Sequence, residues 1–210
     1  ITIAAGTTDG CATFLASGAT EPGEASTALG STIVLKLLSD RPIFAPELGI
    51  YSHRIGDTWL AGGASNCGGK TLLQFFTAEQ LATLEPSLNP AKPTGTDYYP
   101  LPSVGERFPI ADAKLAPRLT PRPASDAEFL QGIYEAFARV EQTGFAKLAA
   151  LGGPTLRSVR HAGGGSRSAA WMTLRATALG VTLTPSWSEE AAAGAARLAW
   201  RSLGHEISFA

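Results

Sequence analysis

Three consecutive glycines, Gly163-Gly164-Gly165, interrupt the chain between a strand-like run at 156–162 and a helical pattern at 169–179. A glycine inside a regular element costs about 0.5–1 kcal/mol relative to alanine, so three in a row mark a loop, not an element. The run therefore joins the end of a strand to the start of a helix. A short strand at 181–183 and an alanine-rich helix to about Leu203 follow, with Ser186 and Glu189 at capping-box spacing. Strand, glycine loop, helix, strand, helix is the grammar of an α/β sheet whose faces are covered by helices.

The first half supplies hairpins. Ser26–Leu29 and Thr32–Leu38 flank Gly30-Ser31, and Ile50–Arg54 and Thr58–Ala61 flank Gly56-Asp57. Gly62 to Asn66 reads as a glycine-rich break before a helical pattern through Leu72, Leu73 and Phe76. At the start, Ile1–Ala5 has the pattern of a buried strand, and a strand beginning at residue 1 reads as a chain cut at a domain border. A polar turn follows, then Cys11, Phe14 and Leu15 at helical spacing, which predict a short helix to Ser17; a hairpin is the rival reading. Residues 84–123 are rich in proline and weakly periodic, which predicts an irregular arm with one short strand near Tyr98–Leu101. Ser125 and Glu128 have capping-box spacing, and Phe129, Ile133, Phe137 and Val140 continue a helix to about Ala150. The fold class expected is α/β, a mixed sheet with helices on its faces plus the proline-rich arm.

Charge narrows the partners. The net charge is −1 and charged residues are 17% of the chain, which gives no match to nucleic acid or an anionic membrane. The sequence contains no run of membrane-span length. Cys11 and Cys67 are the only cysteines and make no disulfide framework. His53, His161 and His205 are far apart in sequence, and no metal site is expected from them. A cytoplasmic location is expected, or an organelle stroma given an upstream transit peptide.

Three turns carry the chemistry, each expected at a strand end, where ligands of open α/β sheets collect. Thr7-Thr8-Asp9-Gly10 puts a carboxylate at a helix start. Asp9 is either a helix cap or a fixed base that accepts a hydroxyl proton during phosphoryl transfer. Gly30-Ser31-Thr32 is either a plain hairpin turn or a phosphate cradle of N–H groups and two hydroxyls. The chain has no Gly-x-x-x-x-Gly-Lys-Ser/Thr stretch, which argues against a P-loop. Gly163 to Ser168 is either a structural connection or bare backbone on which a flat ring and a ribose could lie.

In this order the turns resemble the second domain of the FGGY carbohydrate kinases. The most specific segment is Gly163–Leu183, GGGSRSAAWMTLRATALGVTL. Ile55–Gly69, IGDTWLAGGASNCGG, is similar to the family's second recurrent segment, and the last helix with Glu189, Glu190, Ala191 and Leu198 extends the likeness. Together with GERFPI at 105–110, the closest tone is that of plant and cyanobacterial pentulose kinases. The resemblance implies an actin-like, ribonuclease-H-like ATPase domain over residues 1–210, with the irregular arm at about 84–123.

It also implies ATP-dependent phosphorylation of a ketose hydroxyl, D-ribulose or D-xylulose, with ATP/ADP and Mg²⁺ as cofactors. Asp9 matches the general base. Gly30, Ser31 and Thr32 match the turn that holds the β- and γ-phosphates, and Gly164, Gly165 and Ser168 fall in the adenosine loop. No residue of this chain is implied as a metal ligand; Mg²⁺ would be held through the nucleotide and the other domain. That partner, the N-terminal domain of the same kinase with most sugar contacts, is expected outside this sequence, so the chain alone is expected to be inactive. Serine at 31 keeps the hydroxyl of the family's usual threonine. Serine at 168 lacks the paired donor and acceptor of the family's usual asparagine. The alternative is a non-catalytic or degenerate actin-like nucleotide-binding module, which would need no carboxylate at position 9.

Overall fold

In the computed structural model, which describes residues 3–205, burial alternates along the central strands as a sheet with a core face requires. After a helix α1 (Asp9–Ser17), β1 (Glu24–Leu29) buries Ala25, Thr27 and Leu29. β2 (Ile33–Ser39) buries Ile33, Leu35 and Leu37 on the same side. β3 (Tyr51–Ile55) and β4 (Thr58–Ser65) pair across Gly56-Asp57. Two short helices, α2 (Gly69–Leu72) and α3 (Ala78–Leu84), lead into the irregular arm. The long α4 (Asp126–Ala150), β5 (Ser158–Ala162), α5 (Ala169–Leu179), β6 (Thr182–Pro185) and α6 (Ala191–Ser202) complete the order.

The six strands form one sheet in the order β3-β4-β2-β1-β5-β6. β1 runs parallel to β5, and β5 to β6; the hairpin side is antiparallel. The mixed sheet expected from the sequence is thus observed.

Helices cover both faces. Leu35 and Leu37 join Phe129, Ile133, Phe137 and Trp171 in the main core beneath α4 and α5. Leu38 and Leu60 face the other way and pack on Cys11 and Phe14 of α1. α6 lies against α1 so closely that a Cβ on Gly194 would strike the Ala12 carbonyl. Arg197 ties the pair by donating to Leu15 O at 2.7 Å.

Four expectations differ. Ile1 and Thr2 lie outside the described residues, and Ile3–Ala5 form no strand. Ile3 is 91% exposed, and residues 3–5 pair with no described strand. The break expected at 62–66 is instead the end of β4, which continues to Ser65. The glycines there serve close packing: a Cβ on Gly63 would meet the ring of Phe108, which the arm lays across the strand. Around Tyr98–Leu101 only an isolated bridge forms, Tyr99 with Arg118. Ser186 caps no helix. The backbone N–H of Ser186 is held by His161 O, and those of Trp187 and Ser188 by the end of α1, so α6 starts later, at Ala191.

The arm is irregular but anchored. Glu106 is buried and accepts from Ser65 Oγ and Asn66 N at 2.6 Å, Arg107 N at 2.8 Å and Tyr99 OH at 3.0 Å. Burial and this carboxylate push the Tyr99 hydroxyl and the Cys67 thiol above their usual pKa values, so both stay protonated. Arg139 of α4 donates to Thr96 O, and Tyr98, Leu101 and Phe108 enter the main core.

Candidate active site

The turn after β1 sorts its donors from its acceptors. Gly69 N donates to Gly30 O at 2.9 Å, Lys70 N to Ser31 O at 3.2 Å, and Gly30 N to Thr32 O at 3.1 Å. All three carbonyls are therefore tied back, two of them by the start of α2. The N–H groups and hydroxyls of Ser31 and Thr32 donate to no described residue, and Ser31 is exposed. Unpaired donors with their acceptors turned away suit an anion. A Cβ on Gly30 would meet nothing closer than Thr32 O at 3.9 Å, so backbone can be approached there.

The glycine loop lies beside this turn because β5 pairs in parallel with β1, Ala162 opposite Ala28. Gly163 (φ 92°) sits against the Leu29 main chain, where a Cβ would come within 2.8 Å of Leu29 O. The next residues form a 3₁₀ turn, Gly164–Arg167. Ser166 closes it by donating its N–H (3.0 Å) and its hydroxyl (2.7 Å) to Gly163 O. As at any helix start, the first N–H groups, of Gly164 and Gly165, have no partner inside the turn. The three glycines are not equivalent. Beyond Gly164 a Cβ would meet nothing within 4 Å, whereas at Gly165 it would run into the ring of Trp171.

Ser168 faces away from this opening. Its hydroxyl accepts from Trp171 N at 3.0 Å and donates to the Glu85 carboxylate at 2.8 Å, which also takes Ala170 N. It caps α5 and fastens it to the end of α3, and its single proton is given to Glu85. Glu85 was not legible as a site residue, because nothing in sequence links it to a serine 83 positions on.

A buried polar frame stands beneath both turns. Arg175 of α5 makes a bidentate pair with Glu141 of α4, at 2.6 and 2.7 Å, and Thr27 of β1 donates to Glu141 at 2.6 Å. These three elements are thereby locked together just below the ends of β1 and β5. Tyr134 stacks on Trp171 at 5.1 Å, and burial pushes its hydroxyl up to about 12. His161 is also buried here. Its Nδ1 has no hydrogen bond among the described residues, and burial, then the Arg175 charge, lowers its pKa.

Asp9 is the first residue of α1, exposed, after an extended Thr8. Its Oδ1 accepts the N–H of Gly10 at 2.8 Å, and the carboxylate accepts nothing else among the described residues. No hydrogen bond joins it to either glycine turn. The structure thus brings Gly30, Ser31, Thr32, Gly164 and Gly165 to one edge of the sheet, leaves Asp9 free on a helix start, and places Ser168 behind the loop. Among the described residues no group of three or more His, Cys, Asp or Glu side chains converges as a metal site. No described helix is long and apolar enough to cross a membrane.

Solved structures share this architecture. A xyloylose kinase from Brucella ovis is 28% identical with a TM-score of 0.79, over 93% of this chain and 42% of that one. A xylulose kinase from Rhodospirillum rubrum (24% identity, TM-score 0.74) matches 95% of this chain and 42% of its own. A Plasmodium falciparum glycerol kinase solved with ADP, at 14% identity and TM-score 0.73, matches the same shares and speaks for the fold alone. The chain therefore spans well under half the length of these relatives. The C-terminal domain of the FGGY family of carbohydrate kinases matches residues 25–203. By that match the chain belongs to the FGGY family, and its mixed sheet with flanking helices is the actin-like ATPase fold of those kinases.

Proposed function

We propose that this chain is the ATP-side part of a carbohydrate kinase that moves the γ-phosphoryl group of ATP to a ketose hydroxyl. The observation that supports it most is the donor-rich edge formed by Gly30-Ser31-Thr32 beside Gly163-Gly164-Gly165. The N–H groups and hydroxyls of Ser31 and Thr32 would hold the β- and γ-phosphate oxygens. Open space beyond Gly164 would take the ribose and adenine, with Gly165 kept bare so that Trp171 supports the loop from below. Ser168 contributes by capping α5 under that loop. Asp9 would accept the proton as the sugar oxygen bonds to the γ-phosphorus and the bond to ADP breaks. Mg²⁺ bound with the nucleotide would neutralise phosphate charge; donors rather than carboxylates line this edge, so it would be held mainly through the nucleotide and by another domain.

The sugar class rests on the likeness to pentulose kinases, with D-ribulose and D-xylulose as the substrates to try. An N-terminal domain, as partner, would bring most sugar contacts. The test has two readings. Calorimetry on this chain should find ADP binding that Gly164→Val weakens tenfold or more. In the two-domain protein, ATP consumption should depend on D-ribulose or D-xylulose. ADP binding without sugar-dependent turnover would instead make it a non-catalytic nucleotide module.

A further inference from the structure

The face of the hairpin strands that α1 leaves uncovered carries an open cavity with basic side chains in its lining. Side chains two apart on a strand share a face, and the register lines up three strands: Lys36 lies opposite Gly62, and Gly62 opposite Tyr51. One step along, Leu38 lies opposite Leu60, and Leu60 opposite His53. Leu38 and Leu60 are covered by α1, but Lys36, Tyr51 and His53 line an open cavity of about 440 Å³, which Arg107 of the arm also borders. No side chain lining it is acidic. Glycine at 62 leaves the floor between Lys36 and Tyr51 without a side chain.

Lys36 and Arg107 are the charged side chains of this lining, and no carboxylate lines it with them. Among the described residues the Lys36 ammonium and the His53 ring take part in no hydrogen bond or ion pair, and the Arg107 guanidinium is bonded only to the neutral amide of Asn66, at 2.7 Å, while the Arg107 backbone N–H goes to Glu106. Burial lowers the pKa of Lys36, with Cys11 acting the other way, and burial, then Lys36 itself, lowers that of His53. Gathering Lys36 and Arg107 costs free energy in the empty protein that a bound anion would return.

We propose that this cavity is a binding site for a small phosphate monoester, separate from the nucleotide edge. A phosphate dianion matches the charges of Lys36 and Arg107 together, with the neutral His53 ring able to donate one hydrogen bond, where a single carboxylate would need fewer cations. The cavity exceeds a bare phosphate and leaves room for a three- to five-carbon body against Tyr51. The cavity shares no residue with Asp9, Gly30-Ser31-Thr32 or the glycine loop, so the site stands whether or not the kinase reading holds. A ligand here would rest on β2, two to four residues beyond the phosphate turn.

The test is a titration of the full chain with ribose 5-phosphate, inorganic phosphate, acetate and ribose, followed by amide chemical shifts and calorimetry, with and without ADP. Ribose 5-phosphate and inorganic phosphate should saturate, shift the amides of Lys36, Tyr51, His53 and Gly62, and bind with ADP present; ribose and acetate should not. Lys36→Gln and His53→Gln should each weaken ribose 5-phosphate at least tenfold at an unchanged melting temperature. Absent saturation, shifts confined to 30–32, competition with ADP, equal binding of acetate or ribose, or full affinity in a folded Lys36→Gln variant would each overturn the site. The amide map keeps this outcome separate from the nucleotide reading, which concerns 30–32 and 163–165 alone.

Discussion

At Asp9 the two roles open to an aspartate at a helix start make different forecasts. As a cap it would hold N–H groups of the first turn, yet its carboxylate reaches only the N–H of Gly10 and is otherwise exposed. Asparagine can keep that one bond. With the proposed N-terminal domain present, Asp9→Asn is therefore expected to leave the melting temperature unchanged and to lower kcat by about 10²–10⁴, the usual worth of a positioned base. Steady-state phosphorylation of a ketopentose measures it, and kcat within threefold of the parent would remove Asp9 from catalysis. Gly164 and Gly165, adjacent in sequence, also separate. Gly165→Val would drive a side chain into Trp171, and overpacking of this kind costs about 1–3 kcal/mol of stability. Gly164→Val points into open space and should keep the stability while losing the nucleotide. Urea denaturation beside ADP calorimetry tests the pair; equal stability loss in both variants would contradict the assignment.

At the scale of elements, sequence is most legible where a period is long. Phe129, Ile133, Phe137 and Val140 predict α4 to its last turn, and both hairpins fall where Gly30-Ser31 and Gly56-Asp57 put them. Legibility fails where a partner distant in sequence decides. Gly62-Gly63 reads as a break because what requires glycine there is distant in sequence: the Leu35 main chain against Gly62, and the Phe108 ring, 45 residues on, against Gly63. Ser186 and Glu189 read as a cap because the end of α1, which captures this segment, is 170 positions earlier. The two glycine turns proposed to hold the nucleotide are legible in the sequence, but the frame of Thr27, Glu141 and Arg175 beneath them is not, since nothing local marks a buried ion pair. That frame has a pH signature through His161. Its folded pKa is depressed, so as pH falls below the unfolded value near 6.5 the unfolded chain takes up a proton that the folded one refuses. Stability is then fully present above about pH 6.5 and is lost on acidification. His161→Gln should flatten this fall. Urea midpoints at pH 7.5 and 5.5 test it, and an equally steep loss in the variant would assign the slope to other groups, His53 first.

At the scale of the whole molecule, the arm poses the question of cooperativity. Some forty residues without regular structure should open on their own unless side chains hold them. Here they are held at several points, but one carboxylate joins the arm to the end of β4: Glu106, through Ser65, Asn66, Arg107 and Tyr99. Removing it would leave these donors facing an apolar gap, each at a cost of about 1–3 kcal/mol where it stays buried and unbonded. Relaxation gives a way out, because the arm can lift and let water reach Ser65 and Asn66. The sheet has no such escape, since α4 and α5 remain packed on it through Phe137, Trp171 and the Glu141–Arg175 pair. Glu106→Ala is therefore expected to release the arm rather than unfold the domain. Hydrogen exchange should speed up at least a hundredfold at Tyr99, Glu106 and Arg118, while amides of β1, β2 and β5 keep their protection. Phe108 couples the two regions, because its ring covers Gly63 and contacts α4 near Gly144. If that contact dominates, exchange in β4 and the middle of α4 will rise in step with the arm and urea unfolding will stay a single transition at a lower midpoint. That outcome would make the arm part of the core's cooperative unit, and the picture of a strap fastened mainly by one buried carboxylate would be wrong.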